Sequence, residues 1–279
     1  MNLKDMFEEF RPSPQYPTYP PYHKGLYLED YFYDWYYKNK INSSRILIPV
    51  SWTTCYIDKK TAGLQDKLNA LDKGKRYFTV CQHDDGIKES LPPDTVQFNA
   101  GGNSGGIPIP LVCSMMDIIR IGRGIKTYLC SFVGSFTHDI RRQMLESFKN
   151  CSSCKIVIKN WSPSVQDDQL ATFIEAALQS KFLLCPRGYG LNSFRLYESF
   201  QLGCVPVIIT DKLFLPWEDE LNWSDFSVII DKENVGNIKN ILENIDETIY
   251  DNMLSFGQMI FSDYFTLEGV CNQIVKRIK

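Results

Sequence analysis

The stretch from Lys181 to Asp211, KFLLCPRGYGLNSFRLYESFQLGCVPVIITD, constrains the fold more than any other part of this sequence. Phe182 to Cys185 is a short apolar run closed by Pro186, the pattern of a buried strand. Arg187 to Asn192 is a glycine-containing loop. Ser193 then stands where a helix cap belongs, and Phe194, Tyr197 and Phe200 recur at near-helical spacing. Gly203 supplies the left-handed residue that ends such a helix. Val205 to Ile209 is β-branched apart from one early proline, and reads as a second strand parallel to the first. The whole is one βαβ unit.

A loop that leaves the carboxyl end of a strand and opens into a helix is an anion site. The backbone N–H groups and the positive dipole end of the helix both face the ligand. Arg187, Ser193 and Arg195 stand beside it, and Gly188 and Gly190 let a ligand approach the backbone. Arginine matches phosphate oxygens in a two-pronged geometry. Glu198 lies one turn into the helix, where a carboxylate can accept hydrogen bonds from sugar hydroxyls. Cations for a diphosphate and an acid for a ribose imply a nucleotide-sugar ligand. The bland alternatives are surface ion pairs for the arginines and a solvated helix face for Glu198.

A length of 279 residues leaves room for two domains of roughly 100–150 residues each. A formal net charge of -3 leaves no basic face for nucleic acid. The N-terminus MNLKDMFEEF lacks the apolar run of a secretory leader, and no segment approaches the ~20 apolar residues of a membrane helix. The nine cysteines are therefore expected as free thiols in a reducing cytoplasm. Cys151 and Cys154 form a lone CxxC with no second pair for a zinc site. No Asp-x-Asp, Walker or HExxH motif is present, so no metal or cofactor is expected. Electrostatic help for a leaving diphosphate then falls to arginines and helix N-termini. The glycine spacing also fails the GxGxxG pattern of a dinucleotide oxidoreductase.

Elsewhere the pattern alternates strands and helices, which points to parallel sheets covered on both faces. The proline- and tyrosine-rich segment 11–22 is expected to run extended across a surface. Leu26 to Lys38 reads as an aromatic helix packed in a core, with a sugar-stacking platform as the alternative. Strands are expected at 45–50, 76–81, 96–99 and, as an edge, 107–112. Further strands are expected at 127–133, 156–158 and 226–230. Residues 51–55 read as a loop and Gly101 to Gly106 as a flexible loop. Helices are expected at 61–71, 138–148, 167–179, 235–245, 249–261 and 267–278.

The segment RGYGLNSFRLYESFQLGCVPVII resembles the signature of the exostosin-like glycosyltransferases, and SFVGSFTHDIRRQML (Ser131 to Leu145) resembles an earlier segment of that family. Together they cover roughly the C-terminal half. The resemblance implies an α/β, GT-B fold: two Rossmann-like domains with parallel sheets and a cleft between them. It implies an N-terminal acceptor domain over 1–150, a nucleotide-sugar domain over 151–260, and a terminal helix, 261–279, packing back on the first domain. It also implies transfer of a sugar, xylose or galactose, from a UDP-sugar to a glycan hydroxyl with inversion. A form with no anchor departs from the cellular exostosins and suggests a bacterial or virus-encoded member. A non-catalytic carbohydrate- or nucleotide-binding module on the same fold is the rival reading.

The family match places Arg141 near the donor phosphates, with Ser135 and His138 close by. An exposed basic pair of Arg141 and Arg142 on the helix surface is the alternative. Within the longer signature, Arg187, Gly188, Tyr189, Ser193, Phe194, Arg195 and Glu198 are the donor residues it implies. The strand RYFTVC runs into His83, Asp84 and Asp85, and HDDG resembles an HD-x-G patch of some members. Asp84 is the expected general base, with His83 as runner-up and a solvated acidic turn as the alternative.

Overall fold

The structure, a computed structural model, describes residues 2–12, 27–112, 125–149, 151–163 and 165–279. Most of the proline-rich segment, and Leu26 of the aromatic helix, lie outside the described residues. The chain divides into two compact units, Met1–Ser114 with Asp263–Lys279, and Met115–Ser262.

In the first unit the elements are α1 (Leu3–Met6), α2 (Leu28–Lys38), β1 (Ile46–Leu47), α3 (Trp52–Ile57), α4 (Leu64–Asn69), β2 (Tyr77–Cys81), β3 (Val96–Asn99) and β4 (Ile107–Pro108). The four strands pair in the order β1-β2-β3-β4, all parallel. Every residue of β2 is buried, as a central parallel strand requires. Pro108 lacks a donor and sits on the edge strand. Phe7, Ile48, Trp52, Leu68 and Tyr77 belong to one core cluster. The aromatic helix is core: Phe32 and Tyr33 are buried, and the Tyr33 hydroxyl donates to the Val80 carbonyl at 2.6 Å.

Two expectations fail here. Residues 51–55 are not a loop but begin α3, anchored where the Trp52 indole donates to Thr79 Oγ1 at 2.8 Å. The Gly101–Gly106 segment is packed against the His83–Gly86 turn. A Cβ at Gly101 would stand 2.2 Å from Asp84 Cα, so only glycine lets the two backbones meet.

In the second unit β5 (Tyr128–Gly134), α5 (Asp139–Glu146), β6 (Cys154–Ile158), α6 (Asp167–Leu178), β7 (Ser180–Pro186), α7 (Phe194–Gln201), β8 (Val205–Thr210), β9 (Val228–Asp231), α8 (Ile238–Glu243) and α9 (Glu247–Tyr264) follow in order. The sheet order is β6-β5-β7-β8-β9, all parallel. The dividing line expected at residue 150 falls earlier, because β5 pairs with both β6 and β7 and so belongs to the second sheet. The helix expected over 235–245 opens as a 3-10 turn, Lys232–Asn237, before α8. Cys151 and Cys154 form a disulfide in the turn between α5 and β6, whereas free thiols were expected. Among the described residues the free cysteines, Cys55, Cys81, Cys130, Cys185, Cys204 and Cys271, are all buried.

The last helix, α10 (Leu267–Ile278), belongs to the first unit. It packs on α2, and the hydroxyls of Ser43 and Ser44 each donate to the Ile278 carbonyl at 3.0 Å. Among the described residues no helix is long and apolar enough to cross a membrane.

Candidate functional site

The β7–α7–β8 unit is built as its sequence suggests. Gly203 adopts φ +66°, and the Cys204 N–H returns to the Ser199 carbonyl at 3.0 Å, closing the helix end. At the other end the cap differs from expectation. The Ser193 side chain makes no cap hydrogen bond. Asn192 works there instead: its Oδ1 accepts from the Ser193 N–H at 2.9 Å and from the Tyr197 hydroxyl at 3.1 Å. An Asn directly before the cap is a signal the sequence offered and that reading missed.

Around this helix start the structure gathers three guanidinium groups. Arg187 pairs with Asp211 at 2.7 Å and donates to the Tyr189 carbonyl at 2.9 Å. The bond from Arg187 holds the Asp211 carboxyl below its ordinary range. Arg195 pairs with Glu198 at 2.5 Å and lies 3.9 Å over the Phe173 ring of α6. Both arginines therefore stand in ion pairs, the alternative that the sequence left open for them. Tyr189 is exposed, and Phe194 is half-buried at the first position of α7.

Arg141 is different. Its Nε donates to the Arg187 carbonyl at 2.9 Å, Nη1 to the Ser135 carbonyl at 2.8 Å and Nη2 to the Pro186 carbonyl at 3.2 Å. These neutral oxygens tie the loop after β5 to the loop after β7 but cancel no charge. Burial, and then the charge of Arg195, pull Arg141 down to about 10, so it stays a cation at neutral pH. Three guanidinium charges thus face two carboxylates, and one positive charge is left over for an anion. Gly188 borders this spot: a Cβ there would stand 3.2 Å from Arg141 Nη2 and 3.3 Å from Thr137 Oγ1. The Thr137 hydroxyl is itself buried with no hydrogen-bond partner. His138 caps α5, accepting from the Ile140 N–H at 3.3 Å; burial and then Arg187 hold its imidazole below its ordinary pKa. The exposed Arg142 stacks 5.6 Å over Phe136.

Glu198 is 2% exposed. Its Oε2 takes Arg195, while Oε1 is buried with no hydrogen-bond partner. A buried carboxylate oxygen left in that state is costly, and a ligand hydroxyl would remove the cost.

His83, Asp84 and Asp85 lie in the first unit, in the turn after β2. Gly86 N–H closes the turn on the His83 carbonyl at 2.9 Å, and Asn103 N–H holds the Asp84 carbonyl at 3.1 Å. His83 Nδ1 accepts from the Asp85 N–H at 3.2 Å, and the ring stands edge-on to Tyr56 at 5.0 Å. Burial, and then Lys88, lower the His83 pKa, so the ring is neutral with its lone pair already engaged.

A second polar cluster in this unit went unread in the sequence. Glu29 and Asp30 occupy the first turn of α2, at the carboxyl ends of β1 and β2. Glu29 is fully buried and accepts from the N–H groups of Thr53 at 2.6 Å and Gln82 at 2.7 Å. Burial, and then Asp30, hold the Glu29 carboxyl well above its usual range. Asp30 accepts from the Ser51 hydroxyl. The available signal was an acid pair inside an otherwise aromatic helix. Among the described residues no group of three or more His, Cys, Asp or Glu is placed to hold a metal ion.

Comparison with known proteins matches the Exostosin GT47 domain to residues 95–245, more than half of the chain. The chain is 32% identical over 125 residues to a probable glycosyltransferase of Arabidopsis thaliana, covering 45% of this chain and 25% of that protein. It is 39% identical over 84 residues to a probable glucuronoxylan glucuronosyltransferase of the same plant, covering 30% of this chain and 19% of that protein. The chain spans about a quarter of the length of the curated relatives it matches. The crystal structure of TarM has a TM-score of 0.44 and 9% identity, covering 78% of this chain and 53% of that one, a likeness too loose to argue from.

Proposed function

Since the chain belongs to the exostosin GT47 family, we propose that it is a glycosyltransferase moving a sugar from a UDP-sugar to a glycan hydroxyl with inversion. The observation that carries this reading is the buried Oε1 of Glu198, which has no hydrogen-bond partner, on the helix that starts beside the loop Arg141 holds through the Arg187 carbonyl. A nucleoside diphosphate answers both: its ribose donates to Glu198, and its phosphates meet Arg141, with Arg187, Arg195 and the Gly188 backbone beside them. Thr137 has a hydroxyl to add.

In the transfer, an acceptor hydroxyl attacks the anomeric carbon while its proton passes to a carboxylate base. The bond from that carbon to the diphosphate breaks, and the electron pair leaves on the phosphate oxygen. Asp84 is the base we propose, with His83 as the runner-up. Arginines stabilise the leaving group, so no metal is required. Xylose or galactose is the donor sugar we favour; the names of the relatives add glucuronic acid to the panel.

The test is a melting scan with UDP, GDP, CMP and NAD, followed by UDP release from UDP-xylose, UDP-galactose and UDP-glucuronic acid. UDP at 100 times its Kd should stabilise by about 2.7 kcal/mol, and turnover should survive EDTA. A shift with NAD and none with UDP defeats the reading. UDP binding without any turnover points to a binding module instead.

A further inference from the structure

The Cys151–Cys154 disulfide lies at the end of the second sheet opposite the loop that carries Arg187. Cys154 opens β6 at its amino end, whereas Arg187 follows the carboxyl end of β7 in the same parallel sheet. β6 is an edge strand, and Cys154 sits opposite Cys130 of β5. The bond joins residues only 3 apart in sequence, so it closes a small ring at the point where that edge strand begins.

The backbone of this turn has ties of its own. The Cys151 N–H donates to the Phe148 carbonyl at 3.1 Å, the Cys154 N–H to the Cys151 carbonyl at 3.3 Å and the Leu129 N–H to the Ser153 carbonyl at 2.7 Å. The two Cα atoms stand 5.4 Å apart, an ordinary span for a disulfide. Thiols left by reduction thus stay within reach of each other, and closing them again is an intramolecular step. A ring this short removes little entropy from the unfolded chain, so opening it leaves the fold standing. The pair is also accessible. Both cysteines are half-buried, and Ser152 and Ser153 between them are exposed. Ser153 lines a surface concavity of about 320 Å³ together with Leu129, Lys181, Phe182 and Leu242. The other thiols among the described residues are buried, and burial raises the pKa of each. A thiol so placed is inert, which leaves Cys151 and Cys154 as the reactive sulfurs among the described residues.

We infer that Cys151 and Cys154 form a reversible dithiol–disulfide site, opened by a dithiol reductant, whose closed form pins the start of β6. The reductant's thiolate attacks one of the two sulfurs. The S–S bond breaks, and the other cysteine leaves as a thiolate that takes up a proton. The reductant's second thiol then displaces the first cysteine, which is protonated in turn, and the reductant closes its own disulfide. Two electrons and two protons pass to the chain in this exchange. A disulfide oxidant such as glutathione disulfide reverses it. The site does not depend on the transferase reading.

The experiment treats the folded full chain with dithiothreitol and then with glutathione disulfide. Each stage is alkylated with N-ethylmaleimide, and the labelled peptides are read by mass spectrometry. Cys151 and Cys154 should be unlabelled at first, both labelled after reduction and unlabelled again after reoxidation, with the buried thiols unlabelled throughout. Amide hydrogen exchange over residues 151–158 should quicken several-fold in the reduced chain while β7 and β8 hold. Cys151→Ser combined with Cys154→Ser should exchange as reduced wild type does and ignore dithiothreitol. If that double variant fails to fold, oxidised and reduced wild type still supply the comparison. A bond that yields to dithiothreitol only when the chain unfolds is a structural staple and overturns the inference. So does a pair that glutathione disulfide fails to close, or exchange over β6 that is the same in both states.

Discussion

Single residues here carry opposite costs that can be measured. Glu198→Gln keeps the size of the side chain and removes the charge that a ribose hydroxyl would meet. It should weaken UDP binding by roughly 1.5–3 kcal/mol in calorimetry, with the fold retained but the melting temperature lowered, because Arg195 loses its carboxylate. An unchanged affinity would take Glu198 out of the donor site. Asp30 is a test of sign. Burial raises its pKa from 3.8 to about 6, against the pull of Ser51 and Arg11. The folded state then holds the Asp30 proton more tightly than the unfolded chain does. Stability is therefore lost as the pH rises from about 4 to 6, and the loss is complete above 6. Asp30→Asn removes that loss, so its melting temperature should pull ahead of wild type across this window and stay ahead. A gap that is flat between pH 4 and 7 would show that Asp30 does not titrate as its surroundings dictate.

At the scale of elements, the βαβ unit was legible because each of its signals was local. An apolar run, a left-handed glycine and a β-branched run need no distant partner to be understood. What was not legible depended on partners remote in sequence. Arg187 meets Asp211, and Arg141 reaches carbonyls of a loop 45 residues on. Nothing in the spacing tells an arginine that binds phosphate from one that holds a carboxylate. The aromatic helix was correctly read as core, yet its acid pair stayed hidden, because burial of Glu29 depends on N–H groups that β2 and α3 bring to it. The start of α7 offers a discriminating measurement. Asn192→Ala removes the acceptor of two hydrogen bonds and should cost about 1–3 kcal/mol. Ser193→Ala, which breaks no cap bond, should stay within about 0.5 kcal/mol. Equal losses from both, in denaturant titrations, would restore Ser193 as the cap.

For the molecule as a whole, the discontinuous first unit matters most. Val270, Cys271, Ile274, Val275 and Ile278 of α10 are buried there. At about 1.5–3 kcal/mol for each large apolar side chain, their loss rivals the 5–15 kcal/mol that holds a domain together. A chain cut after Ser262 should therefore lose the first unit to limited proteolysis while Met115–Ser262 resists; equal resistance of both would show α10 to be dispensable. The same arrangement governs the nascent chain. Residues of α2, among them Tyr31, which faces Cys271 and Glu268 in the finished unit, leave the ribosome long before the helix that will cover them. At about 5–20 residues per second, an aromatic surface waits on the order of ten seconds to a minute, while the later-made unit already has its whole sequence. The part synthesised first is thus the part completed last, and in the interval its tyrosines and tryptophan are a target for chaperones.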